Sequence, residues 1–527
     1  MRLRIAFPPS PVPLPRWMPL VLAASGLLAA CATVAPGRQP ATSAAALSPK
    51  AAYETTNRLT WGANLNVVAQ AEAQGSAAYL SQQLHPGPAA LPPAVQQQIE
   101  AMTISQRPFE DLVREMEQRN KEGTNPAATE DDRKAARQAY QQEMNRLARE
   151  AATRHLLRAL YSKNQVQEQM TWFWLNHFNV HQAKANLRVM VGDYEDSAIR
   201  PHALGKFRDL LGAVAHHPAM LRYLDNEQNA AGRINENYAR ELMELHTLGV
   251  NAGYSQQDVQ EMARVLTGNG VADGPELPKL RPQLQADYRR RGLYEFNPNR
   301  HDYGPKRLLG QPINNRGAAE LDEALDRLAR HPATAHFISE KLVRYWLSDQ
   351  PMPDLVERMA QTLQRSDGDI AATLRTLMTS PEFAQGAGRK FKDPVRYVVS
   401  AVRLAYDDKP ILNVGPMLGW LNRMGEPLYG RATPDGYPLD AASWASPGQM
   451  ATRFEIARTI GSGNAGLFKT DGPQPMERPA FPQLANALYY RAIDGTLGAP
   501  TKNALAQAAS PQEWNSFLLA SPEFMNR

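Results

Sequence analysis

The sequence predicts a mainly α-helical protein, with one large helical domain that carries two long irregular segments rich in proline and glycine. Apolar residues recur every three to five positions over residues 130–162, where Tyr140, Met144 and Leu147 are separated by charged and amide side chains. This spacing is typical of an amphipathic helix, and few stretches show the alternating β-branched pattern of strands. The 41 prolines indicate that many elements are short.

The composition is that of a globular protein. Hydrophobic residues make up 43% and charged residues 21% of the 527 positions, which excludes a mostly disordered or collagen-like chain. The length suits about three ordinary domains or one composite domain.

Residues 1–30 have the pattern of a signal peptide. Three arginines accompany an apolar run from Trp17 to Ala30, and these roughly 14 residues are too few for a membrane-spanning helix, which needs about 20. Removing this segment lowers the net charge from +5 to about +2. The remaining chain lacks the basic surface that nucleic-acid binding requires, so we expect no nucleic-acid partner.

The only cysteine, Cys31, follows Leu28-Ala29-Ala30 directly. This sequence resembles the lipobox of bacterial lipoproteins, which implies that Cys31 carries the lipid and anchors the chain to a membrane. The alternative is a chance cysteine in a plain secretory signal. A single cysteine excludes internal disulfides, thiolate zinc sites and iron–sulfur clusters.

The resemblance also implies a location. The residue after the cysteine is Ala32 rather than aspartate, which favours the outer membrane, with the protein facing the periplasm. Residues 31–52 are rich in Ala, Pro, Ser and Thr and are expected to form the lipidated cysteine and a flexible tether. Residues 53–527 are then a single composite helical domain.

Helical patterns follow one another along this domain. Capping signals mark some boundaries: Ser255 to Asp258 form a capping box, and Gly268 suits a left-handed helix end. Besides residues 130–162, helices are expected at 64–83, 94–119, 165–178, 199–214, 218–225, 236–247, 255–267, 318–330, 334–347, 352–364, 369–379, 393–405 and 449–460.

The two irregular segments are residues 269–316 and 408–448. Long irregular segments in compact domains are often functional, so we expect them at the rim of a site. A Leu-x-x-Ser-Pro-Glu-Phe pattern occurs at 377–383 and again at 518–524. We interpret it as a repeated helix terminator, because proline ends or begins a helix and phenylalanine packs on the core.

The first segment with chemical potential runs from Trp172 to His181. His177 and His181 lie four residues apart and would share a helix face, the spacing of a chelating pair. The aromatic density favours core packing instead, with His177 as a buried, hydrogen-bonded side chain.

The second segment covers residues 235–249. Glu236, Arg240 and Glu244 are spaced as a salt-bridge ladder, beside the pair Asn237 and Glu241. From both segments, the residues expected to form a structural polar network are Asn176, Asn235, Glu236, Asn237, Glu244 and His246.

The third segment is the loop His301-Asp302-Tyr303-Gly304-Pro305-Lys306. His301 could be a general base oriented by Asp302, or both could bind a metal, whereas the alternative is a solvated polar loop. The sequence has no nucleophile elbow, phosphate loop, dinucleotide fingerprint or His-Glu-x-x-His motif, which disfavours the familiar enzyme classes.

Together these motifs resemble the bacterial family known as domain of unknown function 1800 (DUF1800). The resemblance rests on Asn-Arg-Leu-Thr-Trp-Gly at 57–62, Trp-x-Asn-His-Phe at 174–178, Asn-Glu-Asn-x-Ala-Arg-Glu at 235–241, Glu-Leu-His-Thr-Leu-Gly at 244–249 and His-Asp-x-Gly-x-Lys at 301–306. It implies an exported, largely helical protein without an established activity, and a partner that is a sulfatase-like exported protein.

We therefore expect a polar pocket in a cell-envelope lipoprotein, with a divalent metal as its cofactor. The metal ligands would be His177, Glu241, His301 and Asp302; as an enzyme, the protein would use His301 and Asp302, with Arg240 or Lys306 binding an anion. The alternative is a non-catalytic envelope scaffold or accessory partner.

Overall fold

A computed structural model describes residues 46–88, 90–407, 409–469 and 481–527, and helices dominate them. The predicted mainly α-helical class is confirmed. The described residues belong to one unit, 44–527. The signal peptide and Cys31 lie outside the described residues.

The α-helices are, in chain order, α1 Pro49–Leu59, α2 Leu65–Gln74, α3 Ser76–Leu84, α4 Pro93–Glu100, α5 Thr103–Gln106, α6 Phe109–Gly123, α7 Glu130–Tyr161, α8 Gln165–His177, α9 Leu187–Asp193, α10 Phe207–Ala215, α11 Pro218–Tyr223, α12 Asn237–Glu244, α13 Gln256–Leu266, α14 Ala319–Ala329, α15 Pro332–Trp346, α16 Pro353–Arg365, α17 Ile370–Met378, α18 Pro381–Gln385, α19 Pro394–Tyr406, α20 Gly415–Arg423, α21 Pro447–Gly461, α22 Ala499–Ala506 and α23 Pro511–Leu519. Two π-helical segments are Tyr194–Ile199 and Tyr489–Ile493.

Helix α7 matches its prediction closely. The Thr129 side chain accepts a hydrogen bond from the backbone of Asp132 and begins the helix, and three acidic residues occupy the first turn. Tyr140, Met144 and Leu147 are buried, as the periodicity predicted.

Other predicted helices are divided. Residues 64–83 form α2 and α3, because Gly75 has a φ of +76° between them. Residues 94–119 form α4, α5 and α6, and Pro108 begins α6. Helix α1 starts inside the predicted tether, since Ser48 caps it and Pro49 occupies its first position.

The two irregular segments contain some regular structure. In the first, β1 Asn269–Val271, β2 Arg289–Arg291 and β3 Tyr294–Phe296 form an antiparallel sheet in the order β1-β3-β2, and β4 Arg307–Leu308 pairs with β5 Gln311–Pro312. The second contains α20, which the sequence reasoning missed. Among the helices described, none is long and apolar enough to span a bilayer.

Capping chemistry is confirmed at several boundaries. The Ser255–Asp258 capping box is present, and Gly268, with a φ of +83°, follows the end of α13. In the repeated pattern, Ser380 and Ser521 each accept a hydrogen bond from the backbone of the phenylalanine three residues later. Both phenylalanines are buried, which confirms the terminator interpretation.

Helix α8 is enclosed by the core along most of its length. Eleven of its residues are buried, Trp174 completely. Phe173 packs against Tyr345 of α15, with ring centroids 5.1 Å apart. This packing fixes the C-terminal end of α8 beside α15.

Candidate functional site

The C-terminal end of α8 changes from aromatic to polar at Asn176 and His177. The aromatic residues before them are buried, so their predicted place in the core is confirmed. The two polar side chains lie next to α15 and to the second irregular segment. This is where we find the candidate site.

The neighbours of His177 fix its tautomer. Its Nε2 lies 3.0 Å from the carbonyl oxygen of His246, and Nε2 must carry a proton because a carbonyl only accepts. Nδ1 therefore presents a lone pair, to which Nζ of Lys341 donates at 2.9 Å. Burial, helped by the charge of Lys341, holds the pKa of His177 well below its usual range, so the ring is neutral.

Lys341 lines a cavity of about 300 Å³ with Asn176, Arg344, Asp349 and the loop of residues 435–440. We call this cavity the Lys341 cleft. Burial lowers the pKa of Lys341 to about 8, and the negative charge of Asp435 only partly opposes the effect.

The carboxylates around the Lys341 cleft have other partners. Asp435 accepts two bonds from one guanidinium nitrogen of Arg431, at 3.0 and 2.8 Å. Asp349 pairs with Lys390 at 2.5 Å, and Asp440 accepts hydrogen bonds from Ser443. In the part of the chain that the structure describes, Lys341 has no ion pair with any carboxylate.

Asn176 attaches the 435–440 loop to α8. Its amide nitrogen donates to the carbonyl oxygen of Tyr437 at 2.9 Å, and its amide oxygen accepts from the backbone nitrogen of Tyr437 at 2.5 Å. Gly436 has a φ of +77° and passes so close that a β-carbon there would overlap the backbone oxygen of Asn176. Only glycine fits this approach.

Two further amides hold the preceding part of the second irregular segment. Asn179 donates to the carbonyl oxygens of Arg431 and Thr433, at 3.0 and 2.8 Å. Gln182 donates through its side chain to Leu428. Asn176, Asn179 and Gln182 thus hold the chain segment that forms one wall of the Lys341 cleft.

Glu241 is half-buried near this wall. Burial raises its pKa, and the negative charges of Glu244 and Asp435 add to the effect. Arg240 pairs with Glu236 at 3.1 Å and with Gln256 at 2.9 Å, so its predicted anion-binding role is not supported.

His246 is fully buried, and burial lowers its pKa to about 3. Neither ring nitrogen has a hydrogen-bond partner among the described residues. Its contribution to the site is its backbone carbonyl, which orients His177.

His301 belongs to a separate buried network. Its Nε2 lies 3.0 Å from Glu320 and its Nδ1 2.8 Å from the carbonyl oxygen of Thr267. Both ring nitrogens therefore already contact oxygen atoms of the protein. Lys306 forms an ion pair with the other oxygen of Glu320 at 2.7 Å. This geometry gives His301 and Lys306 partners within the fold, and their catalytic roles stay predictions.

Asp302 does not orient His301. It receives two hydrogen bonds from Arg264, at 2.8 and 3.1 Å, and one from the backbone of Gly304. These bonds, led by those of Arg264, lower the pKa of Asp302 to about 2. The acid that contacts His301 is Glu320, which sequence proximity could not indicate.

The predicted metal site is not assembled. Over the described ranges, no three His, Cys, Asp or Glu side chains are placed so that they could hold a metal ion. His177 is bonded to Lys341, His301 to Glu320 and Asp302 to Arg264, so these ligands are committed elsewhere. The expected divalent metal therefore has no donor set here.

A family model described as "Protein of unknown function (DUF1800)" matches residues 54–526. The chain belongs to the DUF1800 family. No curated protein and no solved structure matches it. The description of the family names no activity.

In this DUF1800 chain the Asn-Glu-Asn motif connects helices. Asn235 donates to the carbonyl oxygen of Asp225 and accepts from the backbone of Asn237. Asn237 donates to Leu224, and Asn229 joins Asn235 to Ala263 in α13. These hydrogen bonds join the segment before α12 to α13, as expected for a network with a structural role.

A larger cavity, of about 800 Å³, contains none of the predicted site residues. Its walls include His216 and His217, which no sequence motif indicated as site residues. Polar groups in this cavity already have partners: Arg208 pairs with Asp322 at 2.9 Å, and His217 contacts Asp193 at 3.1 Å. We favour the Lys341 cleft because its lysine lacks such a partner.

Proposed function

We propose that the Lys341 cleft binds a small ligand carrying a carboxylate, in an exported lipoprotein of the cell envelope. The observation that carries the proposal is the unpaired ammonium group of Lys341, whose neighbour is a neutral imidazole 2.9 Å away. A partly buried charge without a counter-charge has a cost in free energy, and a bound anion would offset that cost.

The size of the cleft and the free N–H groups of its cations support a small ligand with a carboxylate. A volume of about 300 Å³ lies at the lower end for small-molecule sites. Arg344 is on the same face of α15, three residues after Lys341. Its guanidinium pairs with Glu340 at 2.9 Å and keeps two N–H groups for a ligand. The proposal does not depend on a divalent metal.

The proposed cellular setting is the outer membrane, with the chain anchored there by a lipid. The signal-like residues 1–30 and the lipobox-like sequence before Cys31 support lipid anchoring, and Ala32 supports the outer membrane. An accessory role beside a sulfatase-like exported protein is the second candidate. The networks of His301 and Asn235 favour it, because they join separate elements of the fold.

Calorimetric titration of the mature chain in detergent tests the proposal. We expect acetate or pyruvate to bind, and to bind more strongly at pH 7 than at pH 10, because only protonated Lys341 attracts an anion and its pKa is about 8. Lys341→Arg keeps the charge and should keep binding, whereas Lys341→Met removes the charge and should weaken binding at least about tenfold.

Lys134→Met is the matched control, since Lys134 is an exposed lysine of α7. Unchanged carboxylate binding in Lys341→Met, or binding of inorganic phosphate alone, would overturn the proposal. The accessory role would then be the better explanation.

A further inference from the structure

We propose that Lys341 forms an imine with a 2-oxo acid, whose carboxylate is bound by Arg344. This inference deepens the proposed function and rests on it. It names the substrate class of the Lys341 cleft and gives its lysine a covalent role.

The amine of Lys341 is held in one orientation by its hydrogen bond to His177. One N–H of Lys341 donates to Nδ1 of His177, and the tautomer of His177 is fixed by the carbonyl of His246. This bond fixes where Nζ lies, and Lys341 is one of the residues that line the cleft. A neutral acceptor, unlike a carboxylate, does not hold the amine in its charged form.

The lowered pKa of Lys341 agrees with this arrangement. At pH 8 about half of an amine with a pKa near 8 is uncharged, which is roughly 100-fold more than for an ordinary lysine. Free amine is the form that attacks carbonyl carbon.

Arg344 is the residue that would bind the carboxylate of the ligand. Its side chain is 42% exposed. Three of its N–H groups are used, two with Glu340 and one with the carbonyl of Asp349, so two of the five remain. Lys341 and Arg344 are neighbours at i and i+3 on one helix face. A carbonyl next to a carboxylate, as in a 2-oxo acid, matches this pair.

Other lysines with lowered pKa values are not placed for this reaction. Lys392 is almost completely buried and donates to Ser400, and Lys390 pairs with Asp349. Neither lines the Lys341 cleft.

The reaction needs no oxidant or reductant. The lone pair of Nζ forms a bond to the keto carbon while the π electrons of the carbonyl move to its oxygen, which takes up a proton. The nitrogen then loses a proton, and the oxygen takes up a second one and leaves as water while the nitrogen lone pair forms the C=N bond. The resulting iminium nitrogen loses its remaining proton. The net change is ketone plus amine giving imine plus water.

Borohydride trapping tests the proposal on the mature chain in detergent. After incubation with pyruvate at pH 8 and reduction with borohydride, peptide mass spectrometry should find the reduced adduct on Lys341 at least about tenfold more than on the exposed Lys134, because Lys341 lies at the cleft and burial increases its fraction of free amine. Acetaldehyde, which lacks the carboxylate, should label Lys341 less selectively.

Two variants separate this inference from the proposed function. Lys341→Arg should still bind pyruvate in the calorimeter but should lose the adduct at this position. Arg344→Gln should reduce the pyruvate adduct and leave the acetaldehyde adduct unchanged.

Pyruvate binding by the unmodified chain with no adduct on Lys341, or with adducts spread evenly over surface lysines, would overturn the imine while leaving the binding site in place. Selective labelling that is equal for pyruvate and acetaldehyde would overturn the 2-oxo acid assignment.

Discussion

Replacing Gly436 by alanine tests whether the 435–440 loop is held on α8 as described. The φ of +77° puts an alanine in the left-handed region, at a cost of about 1 to 2 kcal/mol. The new β-carbon would also lie 2.8 Å from Oδ1 of Asn176 and closer still to its backbone oxygen. The loop must then move and lose its two hydrogen bonds to Asn176, each worth about 1 kcal/mol.

We therefore expect Gly436→Ala to lower the free energy of unfolding by about 3 to 4 kcal/mol in a urea titration. Gly232→Ala is the matched control, because Gly232 has the same φ of +77° and nothing within 4 Å of its β-carbon position. It should lose only the conformational part, about 1 to 2 kcal/mol. Equal losses in the two variants would refute the close contact between the loop and Asn176.

Three further predictions concern the other networks and the N-terminus. Glu320→Gln leaves Lys306 buried without its counter-charge, so the free energy of unfolding in urea should fall by about 3 to 5 kcal/mol, and a loss below 1 kcal/mol would contradict the buried pair. The bond between Asp302 and Arg264 stabilises the fold above the ordinary carboxyl pKa of 3.8 and is lost as the pH falls through about 2. The melting-temperature deficit of Asp302→Asn should therefore shrink between pH 4 and pH 2, and a deficit independent of pH would argue against the ion pair. Cys31→Ser should abolish incorporation of labelled palmitate in cells, whereas retained label would exclude Cys31 as the lipid-bearing residue.

Local patterns predicted much of the fold. Helix α7 follows from its apolar spacing and its Thr129 cap, and α13 from its capping box. The divisions at Gly75 and Pro108 were missed because the apolar pattern continues across both residues. Helix α20 was missed because glycine and proline at its start are typical of loops as well as of first helical turns.

The site was harder to predict, because its parts come from distant positions. The motif residue His177 lies at the site, but its partner Lys341 resembles any other charged residue on a helix. Spacing within the 301–306 segment suggested that Asp302 orients His301, whereas the chain turns there and Arg264 takes the carboxylate. Sequence distance carries no information about which acid meets a histidine through tertiary packing.

The aromatic residues of α8 explain why a neutral histidine stands next to a lysine. Phe173 and Trp174 exclude water from the end of the helix, and the same burial keeps His177 uncharged. A charged imidazole would repel Lys341 and could not accept its hydrogen bond, whereas a carboxylate would hold the lysine protonated. The core around α8 therefore affects the chemistry of the cleft as well as the stability of the fold. It keeps His177 neutral, and this neutral partner orients the amine of Lys341 without raising the pKa of Lys341.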